Sequence, residues 1–148
     1  MEHRHLPAQV HILEGAMLDD PGKVSKPLMI ERIDMESVPW LVLERQLAVR
    51  NQFAASGTLT VQTLQVLDTH RLPANVQLLT GMAGLPACRF AGRGDLDVVG
   101  IRRAEADDRQ RTEFQDLLGA WRVDRRSLRL QPVAAWRVSC TNPGQGVP

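Results

Sequence analysis

Arginine is the side chain through which this chain of 148 residues could do chemistry. Sixteen arginines stand against two lysines, and eleven of the sixteen lie from Arg89 onward. A guanidinium is planar and always charged, and its paired N–H groups match the two oxygens of a carboxylate, so the chemistry to expect is recognition of carboxylates. A GC-rich coding sequence would produce the same bias without any ligand. Eight acidic residues share the half that begins at Arg89, and the whole chain carries a net charge of +1. That balance argues against a polyanion partner, and the most basic run, "WRVDRRSLRL", has few aromatic neighbours beyond Trp121 and Trp136. Nucleic acid is therefore not expected.

Other reactive types offer less. His3, His5 and His11 could chelate a metal, but they lie near the amino terminus with no carboxylate pattern beside them, so no metal or other cofactor is expected. Cys88 adjoins Arg89, which could lower its thiol pKa, yet no histidine pairs with it in sequence, and a buried structural cysteine explains it as well. Cys88 and Cys140 stand far apart without a second pair, which indicates neither a disulfide framework nor a zinc ribbon and fits a reducing cytoplasm. "RGD" at Arg93 to Asp95 reads as a turn, and no glycine-rich phosphate loop occurs. No segment has the length of an apolar signal core or a membrane-spanning helix, so a soluble cytoplasmic protein without a membrane partner is expected.

The elements that would position these residues read as follows. Ser37 is a good helix N-cap, Pro39 fits a first turn, and Trp40, Leu43, Leu47 and Phe53 recur at helical spacing, which predicts a helix from Ser37 to about Ala55, stopped by Ser56-Gly57. Before it, "VHIL" and "PLMIERI" are short strands or helical turns separated by a turn at "LDDPGK". From Thr58 to Leu67 the pattern fits helix and strand about equally. "LPANVQLL" reads as a strand, and "ACRFAGRGDLDVVGIRRA" as two strands joined by a turn over Gly92 to Asp95. "RTEFQDLLGAW" places Phe114, Leu117, Leu118 and Trp121 on one helical stripe, and "SLRLQPVAAWRVSC" is strand-like with a break at Pro132. Helices followed by consecutive strands predict an α+β fold, a single domain over 1–148 with an antiparallel sheet, helices packed on one face, and loosely ordered termini at about 1–8 and 141–148.

The order of these pieces resembles the chorismate lyase-like family. The resemblance rests on "WLVLERQLAVR", on the Gly-Thr-Leu-Thr break that follows, on "CRFAGRGDLDVVGIRR", and on "AWRVDRRSLRL", which places Trp121, Arg125, Arg126 and Ser127 against a late family segment. It spans about 100 residues and implies that 58–67 is helical, with Thr58 near its cap and Leu59 and Leu64 turned inward. It further implies elimination of pyruvate from chorismate to give 4-hydroxybenzoate. Arg89 would then be the catalytic clamp on one carboxylate, Arg102 on the adjacent strand would hold the second, and Thr58 would line the substrate site. Arg89 would be largely buried in a cavity roofed by the helices around Trp40 and Leu59. Two departures bear on activity more than on fold: the family's last strand ends in a catalytic glutamate, whereas "PVAAWRVSCTNP" carries no carboxylate, and the loops before Arg89 and after Arg103 are shorter than the family's. Glu44 and Glu113 are available acids, but neither matches the family position, and they read rather as exposed helix charges. Thr58 and Thr60 read rather as cap and packing residues than as substrate ligands, and Arg89 and Arg102 read about as well as solvated strand arginines.

Three functions follow: a lyase of this kind, a non-catalytic module that binds a small aromatic carboxylate on the same scaffold, or a protein-interaction adaptor.

Overall fold

The apolar residues of this chain alternate between two faces far more often than they line up along one side of a helix. In the computed structural model, which describes residues 10–81, 84–104 and 111–143, they build strands almost throughout. In chain order these are β1 (Val10–Met17), β2 (Leu28–Met35), β3 (Val38–Ala54), β4 (Gly57–Arg71), β5 (Val76–Leu79), β6 (Cys88–Phe90), β7 (Arg93–Gly94), β8 (Val98–Arg103), β9 (Glu113–Phe114), β10 (Gly119–Asp124), β11 (Arg129–Val133) and β12 (Val138–Thr141). They form three four-stranded sheets, ordered β1-β2-β3-β4, β11-β10-β8-β5 and β7-β6-β12-β9, with every pairing antiparallel.

This corrects the α+β expectation. Among the described residues the helical content is one 3₁₀ turn at Ala135–Arg137, and no helix packs on any sheet. The expected helix from Ser37 is β3. Trp40, Leu41, Val42 and Leu43 form a continuous apolar run because this strand is buried on both faces, and such a run contains helical spacings by accident. Ser37 is no N-cap; with Glu36 it forms the two-residue β2–β3 turn, both at positive φ (51° and 66°), as a type I′ hairpin requires. Residues 58–67 are the strand β4, where Thr58, Thr60, Val61 and Thr63 follow their β-branched preference. The expected helix "RTEFQDLLGAW" divides into β9 and the start of β10. Phe114 is fully buried whereas Leu118 is half exposed, so its stripe does not face one side.

The middle sheet is the centre of the molecule, and its alternation shows why. On β8, Val99 and Ile101 join the cluster formed with Leu28, Ile30, Leu41 and Leu43 of the first sheet. Val98 faces the other way, into a second cluster with Phe114, Val138 and Cys140 of the third sheet. Burying a Leu, Ile, Val or Phe side chain is worth roughly 1.5–3 kcal/mol, so these two clusters supply most of what holds the three layers together. Gly100 lets the segment before β10 pack closely on the middle sheet: a Cβ there would lie 2.8 Å from Leu117 Cδ1 and 3.4 Å from the Cys140 sulfur of the third sheet.

Side chains fasten the sheet edges. Glu14 of β1 accepts the Leu78 amide of β5 at 3.1 Å, and Arg32 of β2 donates to the Val76 carbonyl. Asp68 of β4 accepts the Leu130 amide of β11 at 2.8 Å. Each bond satisfies a backbone group that an open edge would leave for another strand, and each ties the first sheet to the middle one.

Candidate functional site

β3 and β4 outrun the body. β2 accompanies β3 only from Val38 to Arg45; beyond that point β3 pairs with β4 alone, out to the Ala54–Gly57 pair at the tip. The ladder slips between Leu43 and Glu44 and again between Gln46 and Ala48, so two bulges mark the place where the hairpin leaves the sheet. Bulges bend a strand and increase its twist, which directs the hairpin away from the core as an arm. Directly opposed residues share a face, so Val49, Asn51 and Phe53 lie on one side with Gln62, Thr60 and Thr58, and Thr60 Oγ1 meets Asn51 Oδ1 at 3.2 Å. Arg50 and Gln52 share the other side with Val61 and Leu59.

Two properties set the arm apart. Phe53 is 85% exposed, and Leu59 and Val49 more than half exposed, although water is an unfavourable place for such side chains. From Gln46 to Leu67 the sequence contains a single charged residue, Arg50, in a chain that is 24% charged. An isolated two-stranded hairpin is marginal in water, so this extension gives the fold little stability of its own.

The residues that the resemblance assigned to catalysis do not meet. Arg89 lies on β6 in the third sheet, opposite Ser139 and Gly94; its side chain is 60% exposed, and among the described residues it meets Glu113 Oε1 at 4.0 Å. It is neither buried nor roofed by helices. It borders a polar cleft of about 400 Å³ together with Pro86, Gly92 and Thr141, which is open to solvent. Arg102 is on β8 in the middle sheet, so the two arginines are not on adjacent strands of one hairpin. It is buried with its guanidinium 3.8 Å from the centroid of the Phe114 ring, and it donates to Gln77 Oε1 at 3.2 Å. Thr58 is exposed beside the arm tip, on a third element. Arg125 spends its fork on Asp97, at 2.7–3.0 Å, and also reaches Asp19 at 2.9 Å; the Asp97 hydrogen bonds above all hold its guanidinium firmly protonated, as a clasp between loops.

Two buried features escaped the sequence. Cys88 and Cys140 are directly opposed on β6 and β12 and joined by a disulfide, which corrects the expectation of unpaired thiols. Glu44, read as an exposed helix charge, is 3% exposed and lies beside Glu31, itself 6% exposed, on the face of the first sheet turned away from the middle one. Gly15 makes room, since a Cβ there would lie 2.8 Å from Glu31 Cγ. Burial, then a hydrogen bond to Glu31 and repulsion from its charge, push the Glu44 carboxyl up to about 9. Glu44 therefore keeps a proton at neutral pH and donates it toward Glu31, while Glu44 Oε1 and Glu31 Oε2 have no hydrogen-bond partner among the described residues. The signal available in sequence was a carboxylate inside the run "WLVLERQL". His3 and His5 lie outside the described residues.

Among the described residues no helix is long and apolar enough to cross a membrane. Comparison of the chain with protein-family models, with curated proteins and with solved structures finds no match.

Proposed function

We infer that the protein is a non-catalytic interaction module that docks through its β3–β4 arm onto another protein surface. The observation that carries this reading is the arm itself, with exposed Phe53, Leu59 and Val49 on a hairpin that has one charge and no covering element among the described residues. A monomer gains nothing by holding such a segment in water, whereas a partner would bury its apolar side chains and pair its open edges. Elimination of pyruvate from chorismate, and binding of a small aromatic carboxylate, have no comparable support: Arg89 and Arg102 belong to different sheets, one in solvent and the other stacked on Phe114. The buried cystine favours an oxidising setting over a reducing cytoplasm, since such bonds persist where thiols are not kept reduced.

Shortening the arm tests the reading. A variant in which residues 48–62 are replaced by an Asn-Gly turn keeps Gln46 opposite Leu64 and the body strands with it, and should melt within a few degrees of the full chain. Native gels of extracts should show the full chain in a complex and the variant free. A complex that survives without the arm would overturn the reading, as would excess pyruvate release when the purified protein is given chorismate.

A further inference from the structure

The edges of the body are guarded against strand addition. β1 is broken by a bulge between Ile12 and Glu14, β5 has its Leu78 amide taken by Glu14 and its Val76 carbonyl by Arg32, β11 has its Leu130 amide taken by Asp68 and carries Pro132, and β7 and β9 are two residues long. Short strands, prolines and inward charges are the devices by which sheets refuse a further strand. The arm has none of them. β4 is the last strand of the first sheet, and from Gly57 to Gln65 it carries no charge and no proline, and among the described residues no side chain of another strand bonds to its backbone. The outer edge of β3 differs, because Arg50 stands in its middle.

We propose that the occupant of this edge is a second copy of the chain, joined antiparallel, β4 to β4, about a two-fold axis at Val61. This rests on the interaction reading above and names its partner. An antiparallel pair of identical edges is self-complementary, so one surface suffices for both subunits. The register follows from centring the charge-free span on itself: Val61 meets Val61, Thr60 meets Gln62, Leu59 meets Thr63 and Thr58 meets Leu64. Every opposition is apolar or hydroxyl and amide, with no like charges, whereas pairing through β3 would bring two copies of Arg50 near one another. Nine residues at about 3.4 Å each give a shared ladder of roughly 30 Å. It joins the two first sheets into one of eight strands, and a net charge of +1 sets no long-range repulsion against the encounter.

Sedimentation equilibrium of the purified full chain tests this, with two double variants at exposed positions. The full chain should sediment as a dimer at micromolar concentration. T60K/Q62K sets like charges directly opposite in both halves of the ladder and should weaken dimerisation at least roughly tenfold. T60K/Q62E sets opposite charges in the same places and should restore it to within a few-fold. Both should melt as the parent does, since these side chains touch no core. A full chain that stays monomeric at about 100 μM, or a dimer indifferent to T60K/Q62K, or one that T60K/Q62E fails to restore, would overturn the pairing. A monomeric chain whose arm still holds a different protein in extracts would leave the interaction reading standing and remove only this partner.

Discussion

Replacing Glu44 by glutamine should stabilise the protein at neutral pH. The Glu44 carboxyl is 3% exposed and its pKa stands at about 9, against an ordinary 4.5. An acid whose pKa is raised by folding is favoured in its neutral form, so its contribution is intact below about 4.5 and is lost as pH rises toward 9, where the folded protein holds a proton that the unfolded chain has released. Each pH unit in that window costs about 1.4 kcal/mol, which amounts to roughly 3 kcal/mol by pH 7 and is capped on the order of 6 kcal/mol near pH 9. Glutamine has the same shape, is neutral at every pH, and its amide can still donate to Glu31. Guanidinium unfolding at pH 5, 7 and 9 measures the difference. The two proteins should be nearly equal at pH 5, Glu44→Gln should lead by about 3 kcal/mol at pH 7, and the gap should widen to pH 9. A variant less stable by the same amount at all three values would refute the reasoning, because it would mean that Glu44 is ionised and favourably paired.

Two further outcomes follow from the same structure. The cystine closes 52 residues of chain, so Cys88→Ala together with Cys140→Ala should lower unfolding stability by about 4 kcal/mol in the chain-entropy view, and reductant should lower the melting temperature of the parent but not of the variant. Burial alone would raise the Asp68 carboxyl, but hydrogen bonds from the Leu130 amide, His70 and the Thr69 amide outweigh it and hold it below its ordinary value of 3.8; its contribution is present above that value and lost as pH falls below it. Asp68→Ala, which leaves the Leu130 amide without its acceptor, should cost about 1–3 kcal/mol at pH 7 and less at pH 3, as read by thermal melting.

What could be read from the sequence was decided by how local the signal was. Residues 76–79, 88–90 and 98–103 are strands as expected, because their apolar and β-branched content is a local signal, but the turn expected over Gly92 to Asp95 lies at Ala91-Gly92, and Arg93–Gly94 of the "RGD" is the strand β7 paired with β6. β3 was misread because Trp40, Leu43 and Leu47 fall at helical intervals inside a run that two faces bury, and burial on both faces depends on sheets formed by residues far away. Its continuation to Phe53 extended the same false stripe, although Phe53 is in solvent. The helical reading of 58–67 followed a resemblance and lost to the β-branched residues of β4. No spacing could announce that Cys140 stands opposite Cys88, since register between strands 52 residues apart is a tertiary fact. The site residues failed for a related reason: Arg89 and Arg102 look like two sides of one hairpin, but β7 intervenes and the chain changes sheets between them.

The central claim is that the arm, rather than the body, meets the partner. Photo-cross-linking tests it most directly, with a benzophenone amino acid placed at Phe53 on the arm or, as a control, at exposed Val24 on the body. The account predicts adducts of discrete mass from position 53 and none above background from position 24, with twice the chain mass marking the second copy. Equal labelling from both positions, or none from position 53, would contradict it.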